Sequence, residues 1–193
     1  MKNLLLVRHG DLLPNPERRF IGASDVSLSD VGRARMRALS EELAWEINSG
    51  NMETPKAVCC SDLVRSRESA AILAAAIPDA PLLCFPGLRE ISLGRWEGRT
   101  RLEVERDFPG QYEARGRNMA AFQPEEGESF LMLRNRALAA LADIRSRRSD
   151  GLVLAVGHAG LNKVLLAEYL ALPLNDVLRI PQPYACRAFL PGW

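Results

Sequence analysis

Short runs of apolar residues recur along the chain, and the segments between them carry the apolar spacing of helices. Each run stops at polar or glycine-containing sequence, as a buried parallel strand does before a loop. We therefore predict strands over residues 3–7, 57–60, 82–85 and 152–156, followed by two more at 176–180 and 184–190.

The segments between these strands carry the start and stop signals of helices. Ser29-Asp30 caps a helix that stops at Gly50, and Ser61-Asp62 caps one that runs to about residue 76. From Phe130 to Ile144, apolar residues fall three or four positions apart, which places them on one helix face. The predicted helices are 30–49, 62–76, one or two short ones within 101–120 broken near Pro109-Gly110, 130–148 and 157–170.

This alternation of strands and helices predicts an α/β fold, a three-layer sandwich with helices on both faces of a mostly parallel sheet. We expect one domain over residues 1–193, in which the irregular segment 99–127 is an inserted lid. Ligands of such folds bind at the carboxyl ends of the strands, so polar residues at those ends are the first candidates for a site.

Composition narrows the choice of function. The chain has 193 residues, 47% of them hydrophobic, which is enough apolar surface to exclude a fully disordered chain. A net charge of +1 argues against general nucleic-acid binding, and no apolar run is long enough to span a membrane. The four cysteines lack metal-ligand spacing, so we expect reduced thiols in a cytoplasmic protein without a bound metal. The sequence leaves the oligomeric state open, a homodimer included.

Polar residues follow three of the predicted strands. His9 and His158, the two histidines of the chain, each follow an apolar strand and adjoin a glycine, and Arg8 precedes the first of them. Arg65 lies about one turn into the helix after the second strand. One guanidinium group can bind two phosphate oxygens at once, so these positions indicate a phosphate-binding site. A lone histidine more often has a structural role, but two histidines at strand ends favour a role in catalysis or binding.

Five blocks of residues, in order along nearly the whole chain, resemble the histidine phosphatase superfamily, also called phosphoglycerate mutase-like. The first is similar to the opening signature of that family, and the last resembles its second-histidine block. The blocks are residues 6–32 with Arg8-His9-Gly10, residues 61–70 with Arg65, residues 88–98 with Glu90, Gly127-Glu128-Ser129, and Gly157-His158-Ala159-Gly160.

The resemblance implies a role for each matching residue. His9 would accept the phosphoryl group as phosphohistidine, with its other ring nitrogen bonded to a backbone carbonyl. Glu90 would protonate the leaving group and then take a proton from water. The phosphoryl oxygens would be held by Arg8, Arg65, His158 and Asn15, and the backbone around Ile21, Gly22 and Ala159 would complete the substrate pocket. No metal or cofactor is implied, and the substrate would be a small-molecule phosphate monoester.

Two other functions stay open at this point. A mutase primed by a bisphosphate cofactor would pass the phosphoryl group to a second substrate hydroxyl, but it needs a cover over the site. The short stretch after His158 therefore favours a phosphatase. The second alternative is a non-catalytic phosphate-binding module, which is disfavoured because all five residues with implied chemical roles are present.

The blocks around Gly94 and Gly127 look most like α-ribazole phosphatases of cobalamin assembly, although broad-specificity phosphatases share them. Aromatic and apolar residues in 99–127 would suit a monophosphate with a flat organic body better than phosphoglycerate. The alternative is that they pack the lid onto the domain. These residues are Phe108, Tyr112, Met119 and Phe122.

Overall fold

A computed structural model describes residues 3–147 and 150–193. The strands are β1 (Asn3–Arg8), β2 (Ala57–Cys60), β3 (Leu82–Cys84), β4 (Leu152–Gly157) and β5 (Arg187–Leu190). The α-helices are α1 (Asp30–Asn48), α2 (Val64–Ala74), α3 (Arg101–Asp107), α4 (Gln111–Arg117), α5 (Phe130–Arg147) and α6 (Ala159–Tyr169). Short 3₁₀ helices cover Pro86–Leu88, Gly94–Trp96 and Leu174–Arg179.

The strands form one sheet in the order β3-β2-β4-β1-β5. The first four of these are parallel to one another, and β5 runs antiparallel to β1, with Val7 opposite Arg187. The mostly parallel α/β sandwich predicted from the sequence is therefore confirmed. The order places the carboxyl ends of β2, β4 and β1 side by side.

Helices cover both faces of the sheet, and successive strand residues point to opposite faces. Leu4 and Leu6 of β1 join an apolar cluster that contains α5 and α6, whereas Leu5 and Val7 join one that contains α1 and α2. Cys59 and Cys60 divide between the two clusters in the same way, as their adjacency predicts. The helix face predicted from Phe130 to Ile144 is buried against the first cluster.

Several element boundaries follow the predicted signals. Ser29 caps α1 by accepting a hydrogen bond from the Gly32 N–H at 3.0 Å, and Gly50 follows the helix with a positive φ of 75°. The break between α3 and α4 falls at Pro109-Gly110. The predicted end of α5 at Arg148 lies outside the described residues.

Residues 176–180 are not a strand, which corrects the sequence prediction. They lie mostly in the 3₁₀ helix Leu174–Arg179, in which Val177 is buried and Leu174 packs on the same cluster. Apolar residues three positions apart match the 3₁₀ repeat, and a short apolar run does not distinguish this pattern from a strand. The last strand is also shorter than predicted and begins at Arg187, because Ala185 turns the chain with a φ of 56°.

The predicted cap at Ser61-Asp62 is wrong in detail. Helix α2 begins at Val64, whose N–H donates to Asp25 Oδ1 at 2.7 Å, whereas the Ser61 hydroxyl accepts from the Leu63 N–H before the helix and contacts His158. A loop distant in sequence therefore supplies the cap. Among the described residues, no helix is long and apolar enough to cross a membrane.

Segment 99–127 packs on the cluster above one face of the sheet. Trp96, which is fully buried, lies with its ring 5.5 to 6.1 Å from those of Phe20, Tyr112 and Phe122. Phe108 is buried in the same cluster. This packing supports the alternative in which the apolar side chains of the segment hold it to the rest of the chain.

Candidate active site

Three of the polar clusters predicted at strand ends meet in space. His9 follows β1 and His158 follows β4, and their ring centroids are 5.1 Å apart. Arg65, on the helix that follows β2, donates from Nε to His158 Nδ1 at 3.2 Å. Since β2, β4 and β1 are adjacent and parallel, their carboxyl ends bring these side chains to one edge of the sheet.

His9 is held as a neutral imidazole with one defined tautomer. Its Nδ1 lies 2.8 Å from the carbonyl oxygen of Gly10, which can only accept, so Nδ1 carries the proton and Nε2 carries a lone pair. Burial, assisted by the charges of Arg65 and Arg8, lowers the pKa of His9 to about 3, although the bond to Gly10 opposes the shift. The bond to a carbonyl agrees with the expectation from the family resemblance. An unprotonated Nε2 is a competent nucleophile near neutral pH.

His158 has the opposite tautomer. Because Arg65 Nε can only donate, His158 Nδ1 is the acceptor, and the proton lies on Nε2, which donates to Ser61 Oγ at 2.8 Å. Burial, together with the neighbouring charges, holds the pKa of His158 well below its usual range. Ser61 was missed as a site residue, because nothing in its sequence context indicates a contact with a histidine 97 positions away.

Arg65 is a buried cation that carries three structural bonds. Besides His158, it donates from Nη2 to the Gly22 carbonyl at 2.7 Å and from Nη1 to the Ser24 carbonyl at 2.6 Å. Burial lowers its pKa, and the nearby carboxylate of Glu90 opposes that shift. Gly22 therefore contacts Arg65 through its backbone, and each Nη keeps a second N–H for an anion.

Arg8 is half-buried and is oriented by the loop that precedes β5. Its Nη1 donates to the carbonyl oxygen of Gln182, and its guanidinium carbon lies 3.9 Å from the centroid of the Tyr184 ring. Its buried Nε has no hydrogen-bond partner among the described residues. No local sequence signal indicates Gln182 or Tyr184, since they are neighbours of Arg8 only through the pairing of β5 with β1.

Glu90 lies at the start of α6. Its carboxylate accepts from the N–H groups of Ile91 at 2.9 Å, Gly160 at 2.9 Å and Leu161 at 3.1 Å. A Cβ at Gly160 would come within 2.5 Å of Glu90 Oε1, so this position has to be glycine for the carboxylate to approach. The carboxylate of Glu90 therefore lies beside Gly160 and Leu161, two and three residues after His158.

The segment that carries Glu90 is fixed by a half-buried ion pair that sequence reasoning missed. Arg136 of α5 donates to the carbonyl oxygens of Gly87 at 2.9 Å and Glu90 at 3.3 Å. The same guanidinium binds Glu128 at 2.7 Å, and Glu128 also accepts from the Ser92 N–H at 3.0 Å. Glu128 belongs to a block that carries the family resemblance, which was the available signal.

The remaining predicted residues lie in a loop and at a helix start. Asn15 closes its loop, donating to the Arg19 carbonyl at 2.7 Å and accepting from the Arg19 N–H at 2.9 Å. It lines a groove of about 260 Å³ with Ile21, and neither histidine lines that groove. Ala159 is the first residue of α6. The structure thus groups His9, His158, Arg65 and Arg8 tightly and places Asn15 in a structural turn.

Comparisons with known proteins agree with this arrangement. The sequence profile of the histidine phosphatase superfamily (branch 1) matches residues 4–190. A glucosyl-3-phosphoglycerate phosphatase of Mycolicibacterium vanbaalenii is 32% identical over 183 residues, which cover 91% of this chain and 77% of the relative. A metal-independent phosphoserine phosphatase of Arabidopsis thaliana is 32% identical over 168 residues, covering 86% and 67%.

A solved structure of an α-ribazole phosphatase from Shigella flexneri superposes with a TM-score of 0.83, covering 97% of this chain and 89% of that one. At 22% identity, this likeness concerns the fold. The profile and the two relatives support a hydrolase of phosphate monoesters. The chain belongs to the histidine phosphatase superfamily, branch 1.

Proposed function

We propose that this chain hydrolyses a small-molecule phosphate monoester through a phosphohistidine on His9, without a metal. The observation that carries the proposal is the state of His9. Its Nδ1–H donates to the Gly10 carbonyl and its pKa is lowered to about 3, so that Nε2 offers a lone pair within reach of the charges of Arg65 and Arg8. This is the form that a nucleophilic imidazole needs, and no adjacent base is required to produce it.

The first step transfers the phosphoryl group to the enzyme. The Nε2 lone pair forms the N–P bond while the ester P–O bond breaks, and the leaving oxygen takes a proton from Glu90. The three equatorial oxygens carry the charge, which the free N–H groups of Arg8 and Arg65 would bind. His158 would join them when its Nε2–H turns from Ser61 to a phosphoryl oxygen.

The second step releases phosphate. Glu90, now a carboxylate, takes a proton from a water molecule, whose oxygen forms a bond to phosphorus as the N–P bond breaks. Inorganic phosphate leaves, and His9 and protonated Glu90 are restored. The three backbone N–H groups that donate to the Glu90 side chain hold its carboxyl group in one orientation for this proton transfer.

Trapping of the intermediate tests the mechanism. Brief incubation with a phosphate-labelled aryl phosphate should give a base-stable, acid-labile adduct in the wild type and none in His9→Ala. Activity should persist in excess chelator. An adduct that survives in His9→Ala, or a loss of activity that a divalent metal restores, would overturn the proposal. Absence of any turnover would instead indicate a phosphate-binding module.

The physiological substrate is a separate question. α-Ribazole 5′-phosphate stays the prediction from the sequence, but the apolar residues of 99–127 on which it partly rests are engaged in packing. A panel of α-ribazole 5′-phosphate, glucosyl-3-phosphoglycerate, phosphoserine and 3-phosphoglycerate compares the candidates by kcat/KM. Isomerisation of 3-phosphoglycerate in the presence of 2,3-bisphosphoglycerate, faster than phosphate release, would identify a mutase. The cytoplasmic location and the absence of nucleic-acid and membrane partners also stay predictions.

A further inference from the structure

The loop before β5 lies against the residues that would bind the phosphoryl group. Because β5 pairs antiparallel with β1, the residues that precede Arg187 come beside the end of β1. The Arg8 N–H donates to the Cys186 carbonyl at 2.9 Å, and the Ala185 N–H donates to the His9 carbonyl at 3.3 Å. The backbone of this loop therefore holds the backbone of the Arg8-His9 segment.

Two groups of the loop also fix the Arg8 side chain. The Gln182 carbonyl accepts from Nη1, and the Tyr184 ring lies under the guanidinium group, 3.9 Å from its carbon. Gln182 is itself anchored, since its Oε1 accepts from Asn162 Nδ2 at 3.0 Å. A carbonyl at one edge and an aromatic face below determine both the position and the plane of a guanidinium group.

These contacts leave two donor nitrogens of Arg8 without a hydrogen-bond partner among the described residues. Neither Nε nor Nη2 bonds to any residue that the structure describes, and Nε is buried. The N–H groups on Nε and Nη2 are parallel and form the fork that binds two oxygens of a phosphate or carboxylate. The Tyr184 ring is also 5.6 Å from the His9 ring, so it stands beside both the cation and the nucleophile.

We propose that Tyr184 is a positioning residue, whose ring holds the Arg8 guanidinium so that its Nε–Nη2 edge receives two oxygens of the phosphoryl group at His9. The proposal rests on the proposed function of this site and assigns no proton transfer to Tyr184. The ring rather than the hydroxyl does this, because the Tyr184 hydroxyl makes no hydrogen bond to a described residue and the contact with Arg8 is through the face. The hydroxyl should therefore be dispensable.

The test compares variants of Tyr184 by their affinity for inorganic phosphate, measured by calorimetry on the whole protein. Tyr184→Leu, which lacks the ring, should raise the Kd for phosphate about tenfold, the range that an aromatic face adds to a guanidinium contact. Tyr184→Phe should recover most of that loss. Tyr169→Leu is the matched control, because Tyr169 is exposed and stacks on Trp193 at 5.7 Å instead. Tyr184→Met replaces Tyr184→Leu if the latter does not fold.

A double-mutant cycle separates positioning of Arg8 from a general structural effect. In an Arg8→Ala background, Tyr184→Leu should change the phosphate Kd less than twofold, as expected when its effect passes through Arg8. A tenfold effect that persists without Arg8, or a wild-type Kd in the folded Tyr184→Leu protein, would overturn the inference. If the wild type shows no phosphatase turnover but its phosphate affinity follows the expected pattern, the proposed function fails and the role of Tyr184 stands.

Discussion

The ends of β1 and β4 carry the same short pattern, an apolar strand followed by histidine and a small residue, yet they differ chemically. At the end of β1, the Gly10 carbonyl fixes the proton of His9 on Nδ1 and leaves Nε2 with a lone pair. At the end of β4, Arg65 fixes the lone pair of His158 on Nδ1 and leaves its proton on Nε2. One ring is therefore suited to attack phosphorus and the other to donate a hydrogen bond.

The difference comes from the partners of each ring and not from burial, which is nearly complete for both. A carbonyl oxygen can only accept and a guanidinium N–H can only donate, so each partner imposes one tautomer. Burial keeps both rings neutral, which preserves the distinction at physiological pH. The two histidines are thus not interchangeable, in agreement with the different roles that the family resemblance implies for them.

The largest effect should come from removing each of the two rings in turn. His9→Ala removes the nucleophile and should lower kcat for an aryl phosphate by roughly 10⁴-fold or more. His158→Ala removes one donor and should lower kcat by about 10²–10³-fold. The measurement is steady-state hydrolysis with both variants checked for native unfolding curves. Equal losses would mean that the tautomers do not assign the roles.

The second effect concerns the proton donor that stands at the helix after His158. Glu90→Gln should slow alkyl phosphates by about 10²-fold or more and aryl phosphates much less, because an aryl leaving group needs little protonation. Glu128→Gln is the comparison variant, because Glu128 binds Arg136 and the Ser92 N–H in the adjoining loop. It should lower both rates equally. If Glu90→Gln lowers the rates on alkyl and aryl phosphates equally, Glu90 shapes the pocket and does not donate the proton.

A third experiment examines the tautomers directly. Long-range ¹H–¹⁵N spectra of the wild type should show one Nδ1–H and one Nε2–H imidazole, which His9→Asn assigns because the chain has only two histidines. Arg65→Lys removes the Nε–H donor, so the His158 signal should lose its Nε2–H pattern while kcat falls about 10²-fold. Arg101→Lys, in an exposed pair with Glu105, should change neither. Two identical tautomers in the wild type would contradict the assignment.

Sequence reasoning located both histidines, and the family resemblance implied the carbonyl bond that sets the tautomer of His9. The tautomer of His158 could not be predicted. The alternation of strands and helices predicts that His9, His158 and Arg65 follow parallel strands, and parallel strands bring their carboxyl ends to one edge. The partners Ser61, Gln182 and Tyr184 depend on strand order and on the antiparallel pairing of β5, which no local pattern specifies. The strand prediction at 176–180 was wrong for a different reason, because a short apolar run is compatible with either a strand or a 3₁₀ helix.

The smallest effect is thermodynamic and follows from the lowered pKa values. His9 has a pKa of about 3 in the folded chain, against an ordinary value of 6.5. Above pH 6.5 neither the folded nor the unfolded state binds a proton at His9, so this group does not lower the free energy of unfolding. As the pH falls from 6.5 towards 3, the unfolded state takes up a proton that the folded state excludes, and the free energy of unfolding decreases.

Between pH 7 and pH 5, this single group should lower the free energy of unfolding by about 2 kcal/mol, since one pKa unit corresponds to about 1.4 kcal/mol. The shift at His158 has the same direction and should add to it. Denaturant unfolding at the two pH values measures the change, and the range stays above that in which most carboxylates titrate. His9→Asn should remove about 2 kcal/mol of the pH dependence, and His9→Asn combined with His158→Asn should leave it nearly flat. A pH dependence unchanged in both variants would show that the folded protein admits protons to these rings, and with them a charge that would weaken His9 as a nucleophile.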